Sequence, residues 1–376
     1  MTQTDIEYKK VVERILSEGV KKEDRTGTGT MQVFGHMSRY ECKNDRLPML
    51  TTKRVHFKSV LHEFLWFLMG GTNIQYLCQN GVTIWDEWPY KEYLGHCKTM
   101  QEPETDILVD DPEQNCLRPY SIKEFAARIA SDDKFAAQFG DIGKVYGKQW
   151  VRWEAVTGTQ LVQSGERAKG EPQYALVPEV KIINQLQNAI DTLRNNPDSR
   201  RIIVTAWYPG QVEKACLPPC HHMYQFCSTL MDAKERTGMF LDYCRLNNIQ
   251  PGSDLEEAME SYAYPKRKLS VLFNMRSVDT MLGLPFDIAS YGLLLAAVAK
   301  YTYHVTSEVI LSSADTHIYL NHVDLIKEQM QRTGFPDQPW VKINIKDKAS
   351  IFDLKFEDFE LVGYKHDAPI KAAVSV

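Results

Sequence analysis

The chain has 376 residues, 43% hydrophobic and 25% charged, enough to bury the core of one large domain or two ordinary ones. A net charge of −5 excludes the basic surface that gathers nucleic acid or anionic lipid, so an anionic ligand has to be held by local arginines. Eight cysteines, at 42, 78, 97, 116, 216, 220, 227 and 244, form neither a C-x-x-C pair nor a dense framework, which argues for a reducing compartment and against a zinc ribbon.

Residues 1–10 are polar, and the apolar stretches are too short or too interrupted to span a bilayer, so a cytoplasmic protein without a membrane partner is expected. Residues 5–19 carry Ile6, Val11, Val12, Ile15 and Leu16 at helical spacing and stop at Gly19. The turn from Asp24 to Thr30 follows, with Arg25 beside Gly27 and Gly29. It is either a phosphate-approaching loop or a hairpin turn leading into a strand over residues 31–40. A helix is predicted over residues 58–69, where Val60, Leu61, Phe64, Leu65, Phe67 and Leu68 leave little polar surface. Glu63 stands inside that apolar run and is either structurally hydrogen-bonded or a proton-handling group. Trp85 and Trp88 serve either the core or a planar ligand.

Residues 91–139 are polar and acidic, with a helix over 121–131, and read as an insertion. Residues 157–171 read as a solvent loop and 247–267 as a third excursion. Helices over 179–195 and 288–300 alternate with strands over 202–206 and 269–273, giving a mixed α and β class. Between them lies Leu217-Pro218-Pro219-Cys220-His221-His222, a thiol beside imidazoles on a proline-stiffened turn. A thiolate nucleophile needs cations that lower its pKa, and Arg200 and Arg201 just upstream are candidates.

Taken in order, the segments Asp24 to Thr30, Thr51 to Arg54, His62-Glu63 with Trp66, Trp85 to Trp88, Gly143 to Trp150, Asp198 to Arg201, Pro219 to His221, Arg276-Ser277 with Asp279, Leu282 to Ser290 and Asp315 to Tyr319 resemble the thymidylate synthase family. That resemblance implies a single α/β (α+β) domain around a large mixed sheet, interrupted by the three insertions. It also implies a homodimer in which Arg200 and Arg201 reach the partner's phosphate site. The implied reaction moves a one-carbon unit from the co-substrate 5,10-methylenetetrahydrofolate to C5 of a pyrimidine nucleoside monophosphate, with no metal. Cys220 would add to C6 of the ring and make C5 nucleophilic. Glu63, Tyr146 and His221 would complete the catalytic set, Glu63 through ordered water and Tyr146 at the C5 proton. Arg25, Arg200, Arg201, Arg276 and Ser277 would clamp the phosphate, and His317 and Tyr319 the sugar. Lys53, Ile84, Trp85, Trp88, Asp279, Leu282, Gly283 and Phe286 would form the folate wall, closed by Val376.

The chain departs from the family pattern first at Asp287, which stands where thymidylate-forming members carry Asn, and again at Asn274-Met275, where they usually have Gln before Arg-Ser. An ionised Asp can only accept, and it would face O4 of uracil with negative charge. A carboxylic acid matches N4–H₂ and N3 of cytosine. Asn274-Met275-Arg276-Ser277 is similar to deoxycytidylate hydroxymethylases, whereas the tail from Ile370 to Val376 is similar to thymidylate synthases. The expected reaction is therefore dCMP to its 5-hydroxymethyl or 5-methyl form, with dUMP to dTMP as the alternative. Intact Cys220, Glu63 and arginines argue against a non-catalytic binding relative.

Overall fold

The computed structural model describes residues 1–99, 107–111, 116–166 and 172–375. The elements run α1 (Gln3–Glu18), β1 (Val20–Lys22), β2 (Thr30–Glu41), α2 (Phe57–Leu68), α3 (Gln75–Gln79), α4 (Glu87–Thr99), β3 (Leu108–Asp111) and β4 (Cys116–Pro119). Next come α5 (Ile122–Ser131), α6 (Asp133–Phe139), α7 (Tyr146–Val151), β5 (Trp153–Glu166), β6 (Pro172–Ile183), α8 (Gln185–Asn195), β7 (Ile203–Thr205) and β8 (His221–Leu230). The chain closes with α9 (Ala233–Leu246), α10 (Leu255–Ser261), β9 (Arg267–Asp279), α11 (Gly283–Thr302), β10 (Val305–Tyr319), α12 (Val323–Gln331), β11 (Trp340–Ile343) and β12 (Phe359–Val362).

Six strands form one mixed sheet in the order β1-β2-β10-β9-β8-β7. β9 and β10 run parallel, and the other neighbours are antiparallel. Helix α11 is apolar nearly all round, the pattern of a helix enclosed by protein, and it packs on β9, β10 and α2. By length and composition it is also long and apolar enough to cross a membrane, but most of it is buried in this core. The expected helix over 288–300 is its central part. α2 crosses α7 closely: a Cβ on Gly147 would lie 2.2 Å from the Phe67 carbonyl oxygen, so only glycine permits that approach. Asp5 explains the Thr51-Thr52 motif. It caps α1 with Thr2 and accepts from the Thr51 amide (2.8 Å) and hydroxyl (2.6 Å), fixing the first helix to the loop before α2.

Two expectations fail in the same place. Residues 157–166 are not a solvent loop but most of β5, and residues 179–183 are not helix but the end of β6; the two strands pair as a long antiparallel ribbon. The reason is a period of two: Val156, Leu161, Leu176, Val180 and Ile182 lie on one side of the ribbon and Val162, Ala175 and Val177 on the other. The helix begins only at Gln185, where the Asn184 side chain accepts from the Gln187 amide at 2.8 Å. Residues 167–171 lie outside the described residues.

The polar stretch 91–139 is built rather than loose. Tyr93, Phe125 and Phe135 are buried in an aromatic cluster continuous with the main core, and α5 carries a capping box from Ser121 and Glu124. Residues 100–106 and 112–115 of that stretch lie outside the described residues. The excursion between β8 and β9 has a small core of its own, with Met231, Met239, Phe240, Met259 and Tyr264.

Candidate active site

A cavity of about 710 Å³ opens where the end of β9, the end of β10, the start of β8 and the first turn of α11 converge. Cys220 sits on its floor, and the chain fixes it from three directions. Arg276 donates from Nε to the Pro219 carbonyl at 2.9 Å and from Nη2 to the Pro218 carbonyl at 2.7 Å. The Arg276 amide donates to the Cys220 carbonyl at 2.9 Å, and the Cys220 amide donates to the Tyr146 hydroxyl at 2.8 Å. A bulge between His221 and Met223 interrupts the β8–β9 ladder next to the thiol, the kind of irregularity that re-aims a side chain. The proline turn is thus held by Arg276 rather than merely stiff. Tyr146 takes a positive φ of 38° at the start of α7 to reach it.

Cys220, Glu63, Tyr146 and His221 all line this cavity, as do Arg25, Arg276, Ser277, Asp279, Asp287, His317 and Tyr319. The expected apolar wall is there as well, in Ile84, Trp85, Trp88, Leu282, Gly283 and Phe286. Among the described residues, three expected ones, Lys53, Arg200 and Arg201, are not among the lining groups. Lys53 is buried behind the wall and donates to the Met281 carbonyl, and that loss of solvent lowers its pKa to about 8. Arg200 and Arg201 are exposed on the loop before β7. Val376 lies outside the described residues, but Val374 and Ser375 reach the cavity, with Thr28 Oγ1 donating to Ser375 Oγ at 3.2 Å.

The titratable groups depart from the expected electrostatics. Burial pushes the Cys220 thiol above its ordinary value, with Arg276 pulling the other way and Asp287 adding to the rise. Arg276 thus acts on the sulfur in the direction expected from sequence, but within a single chain burial is the larger influence. Burial likewise raises Glu63 to about 7 despite the Trp85 Nε1–H donated to its Oε1 at 2.7 Å. Asp287 lies well above the usual carboxylate range, because of burial first and then the nearby Glu63 and Asp279 charges. His221 is depressed to about 3 by burial and by His222. Its Nδ1 meets the Tyr291 hydroxyl at 3.0 Å and its Nε2 stands 3.8 Å from Asp287 Oδ1. Tyr146 is pushed well up by burial, so its phenolate is disfavoured.

The lining carries a further set of charged side chains. Asp24 accepts from the Gly29 amide at 2.7 Å and the Thr26 amide at 3.0 Å, closing the Gly-Thr turn on itself, with Gly27 and Gly29 at positive φ. Lys22 pairs with Asp315 at 3.1 Å, and Asp315 holds His317 Nδ1 at 2.8 Å. Asp279 accepts from the Met281 and Leu282 amides, turning β9 into α11. Several lining residues were not assigned to the site from sequence: Lys22, Asp24, Thr26, Leu217, Met275, Asp315, Val374 and Ser375. The signal for Met275 was present, since strand alternation back from Asp279 and Ser277 brings it to the same face.

A sequence model described as thymidylate synthase matches residues 6–376. The thymidylate synthase of Mycoplasma mobile is 37% identical over 370 residues, covering 98% of this chain and 99% of the relative. Those of Listeria innocua and Listeria monocytogenes are each 34% identical over 374 residues, again covering 98% of this chain and 99% of the relative. A cysteine-bearing cavity ringed by the segments that carried the resemblance, together with similarity along the whole chain, makes this protein a member of the thymidylate synthase family.

Proposed function

We propose that the protein transfers a one-carbon unit to C5 of a pyrimidine deoxynucleoside monophosphate held in the cavity over Cys220. The observation that carries this reading is the meeting of Cys220, Glu63 and Asp287 with the apolar wall of Trp85, Trp88, Leu282 and Phe286 in one cavity of about 710 Å³. Indole and phenyl faces beside polar groups suit a planar pterin next to a nucleotide. 5,10-Methylenetetrahydrofolate supplies the one-carbon unit and, for a methyl product, the hydride.

In this reading Cys220 Sγ adds to C6 of the ring, its proton passing to ordered water as the nucleotide settles beside Arg25 and Arg276. Glu63, poised near neutrality, passes protons at the base through ordered water. Tyr146, a poor base, holds the Cys220 amide and orients water for removal of the C5 proton. Ser277 joins the phosphate clamp, and His317 and Tyr319 take the sugar hydroxyl. Arg200 and Arg201 belong to the phosphate site of a second copy in a homodimer, which accords with their exposure and their absence from the lining of their own cavity.

For the base, the names of the relatives support dUMP to dTMP better than the dCMP preference expected from sequence. The raised pKa of Asp287 removes the main objection to uracil, because a neutral carboxyl can donate to O4 and accept from N3–H. Deoxycytidylate stands as a second reading on Asp287 alone. Turned the other way, the same acid accepts from N4–H₂ and donates to N3, and it can also pair as carboxylate with N3-protonated cytosine. For this second reading, hydroxymethyl is the favoured product. The enzyme is incubated with methylenetetrahydrofolate and either nucleotide. Faster turnover of dUMP, with an absorbance rise from dihydrofolate, supports the first reading. Faster turnover of dCMP overturns it, and product without that rise identifies hydroxymethylation. Turnover of neither sinks both.

A further inference from the structure

The geometry points to Arg267 as a positioning residue: it links core helix α11 to the Asp198–Arg201 loop and sets the posture from which Arg200 and Arg201 serve a second copy's phosphate site. This rests on the homodimer reading above and adds a device outside the cavity that makes the crossing arginines effective.

Arg267 is the first residue of β9, where the excursion carrying α9 and α10 rejoins the sheet. Its Nε donates to Ser228 Oγ at 2.8 Å, and Ser228 Oγ meets His304 Nε2 at 2.8 Å. His304 Nδ1 meets Thr302 Oγ1 at 3.0 Å, and Thr302 Oγ1 donates to the Val298 carbonyl at 2.8 Å. Ser228, His304 and Thr302 are all buried.

The protons along this line have one consistent assignment. Thr302 has a single hydroxyl hydrogen, used on Val298, so His304 Nδ1–H must donate to Thr302. Burial keeps His304 neutral, which leaves Nε2 as an acceptor for the Ser228 hydroxyl hydrogen. Ser228 Oγ is then the acceptor for Arg267 Nε–H. The run of donors from Arg267 through Ser228, His304 and Thr302 to helix α11 fixes the guanidinium plane.

The outer Nη2 of that plane donates to Asp198 Oδ1. Asp198 is 79% exposed, so the pair adds little to stability. What it does is select one conformation of an otherwise open loop. The loop is also tied by the Ser199 amide on the Asn196 carbonyl (3.0 Å) and by Gln225 Nε2 on the Arg200 carbonyl (3.1 Å). Among the described residues the guanidinium groups of Arg200 and Arg201 have no hydrogen-bonding partner, and both side chains are exposed. Inside the cavity Arg276 already uses two donors on the proline turn and Lys22 is paired with Asp315, which leaves Arg25 and the remaining donor groups of Arg276 for a dianionic phosphate and gives the crossing arginines charge to complete.

Mixed dimers purified through two tags test this. Cys220→Ser on one chain leaves a single working site, on the other chain, and that site receives the loop of the Cys220→Ser chain. Arg267→Ala on the Cys220→Ser chain should raise the nucleotide KM of the surviving site by roughly tenfold, the scale of a lost charge-assisted contact, with kcat within about twofold. Arg267→Ala on the Cys220-bearing chain should leave that KM near the parental value. Asp198→Asn, an exposed change that does not threaten folding, should give the same asymmetry, and Arg267→Lys should restore part of the KM. Equal KM values in the two arrangements, for both Arg267→Ala and Asp198→Asn, overturn the proposal. Arg201→Ala is the control for the parent reading: if it too lacks asymmetry, the crossing arginines themselves are refuted, and if it alone is asymmetric, only the role of Arg267 falls.

Discussion

Two sets of groups lining the cavity are built on opposite principles. Around Arg276, charged groups are held by backbone carbonyls and by each other; around Asp287, burial moves Glu63 up to about 7, Asp287 well up and His221 down to about 3, each toward its neutral form. A fixed field suits recognition of a permanent anion, whereas a carboxyl near its switching point, as Glu63 is, suits proton traffic at a ring. Cys220 answers to both, raised by burial and lowered by Arg276, so its state depends on which influence prevails when nucleotide binds.

The sharpest break of this contrast is Cys220→Ser. An alcohol cannot replace the thiolate as nucleophile, and turnover should fall by at least about a thousandfold while nucleotide binding persists. Mass spectrometry should find the ring–enzyme adduct only with the thiol present. Retained turnover would remove Cys220 from the chemistry.

Next in size is Glu63→Gln, which keeps an acceptor for Trp85 Nε1–H but cannot carry a proton. kcat should drop by roughly 10²–10⁴-fold with a small change in nucleotide KM. A change confined to KM would make Glu63 a binding group instead.

The same residue makes a prediction about stability. Its folded pKa of about 7 lies above the ordinary value of 4.5, so the folded state holds a proton that the unfolded chain has already released. This contribution is therefore lost as pH rises from 4.5 to 7 and stays lost above, on the order of 3 kcal/mol over that interval. Asp287, raised in the same direction, adds a slope of the same sign. Denaturant midpoints between pH 5 and 8 should fall for the parent protein, and more steeply than for Glu63→Gln. Parallel curves would mean that Glu63 is solvated.

The smallest expected effect is the most informative about substrate. Under the deoxycytidylate reading, Asp287→Asn should shift the ratio of kcat/KM values toward dUMP and away from dCMP by about tenfold or more, as expected for one buried hydrogen bond. No shift would move base selection to another residue, with Met275 the adjacent candidate.

The sequence disclosed this site unevenly, and the reasons are physical. Residues whose role follows from their own chemistry at a marked turn, such as Cys220 after two prolines or Arg25 among glycines, were visible as letters. Helices α1, α2 and α11 were visible because their apolar spacing is dense. What stayed hidden depended on three-dimensional surroundings. No pattern says that Lys53 turns to the Met281 carbonyl, or that burial outweighs Arg276 at Cys220. Residues 179–183 read as helix in the sequence because the adjoining α8 has a strong helical pattern and a single β-strand of mixed residues has a weak one.

The β5–β6 ribbon shares few contacts with the rest of the chain beyond its base, where Trp153 stacks on Tyr208 at 4.6 Å between ring centroids. Two paired strands with Leu161 and Leu176 facing water cannot match the local free energy of the six-stranded sheet. Amide deuterium uptake should therefore run ahead there through small openings, while β8 and β9 exchange only when the whole molecule unravels. Slow uptake in the ribbon of the intact enzyme would instead report that something in solution lies against it.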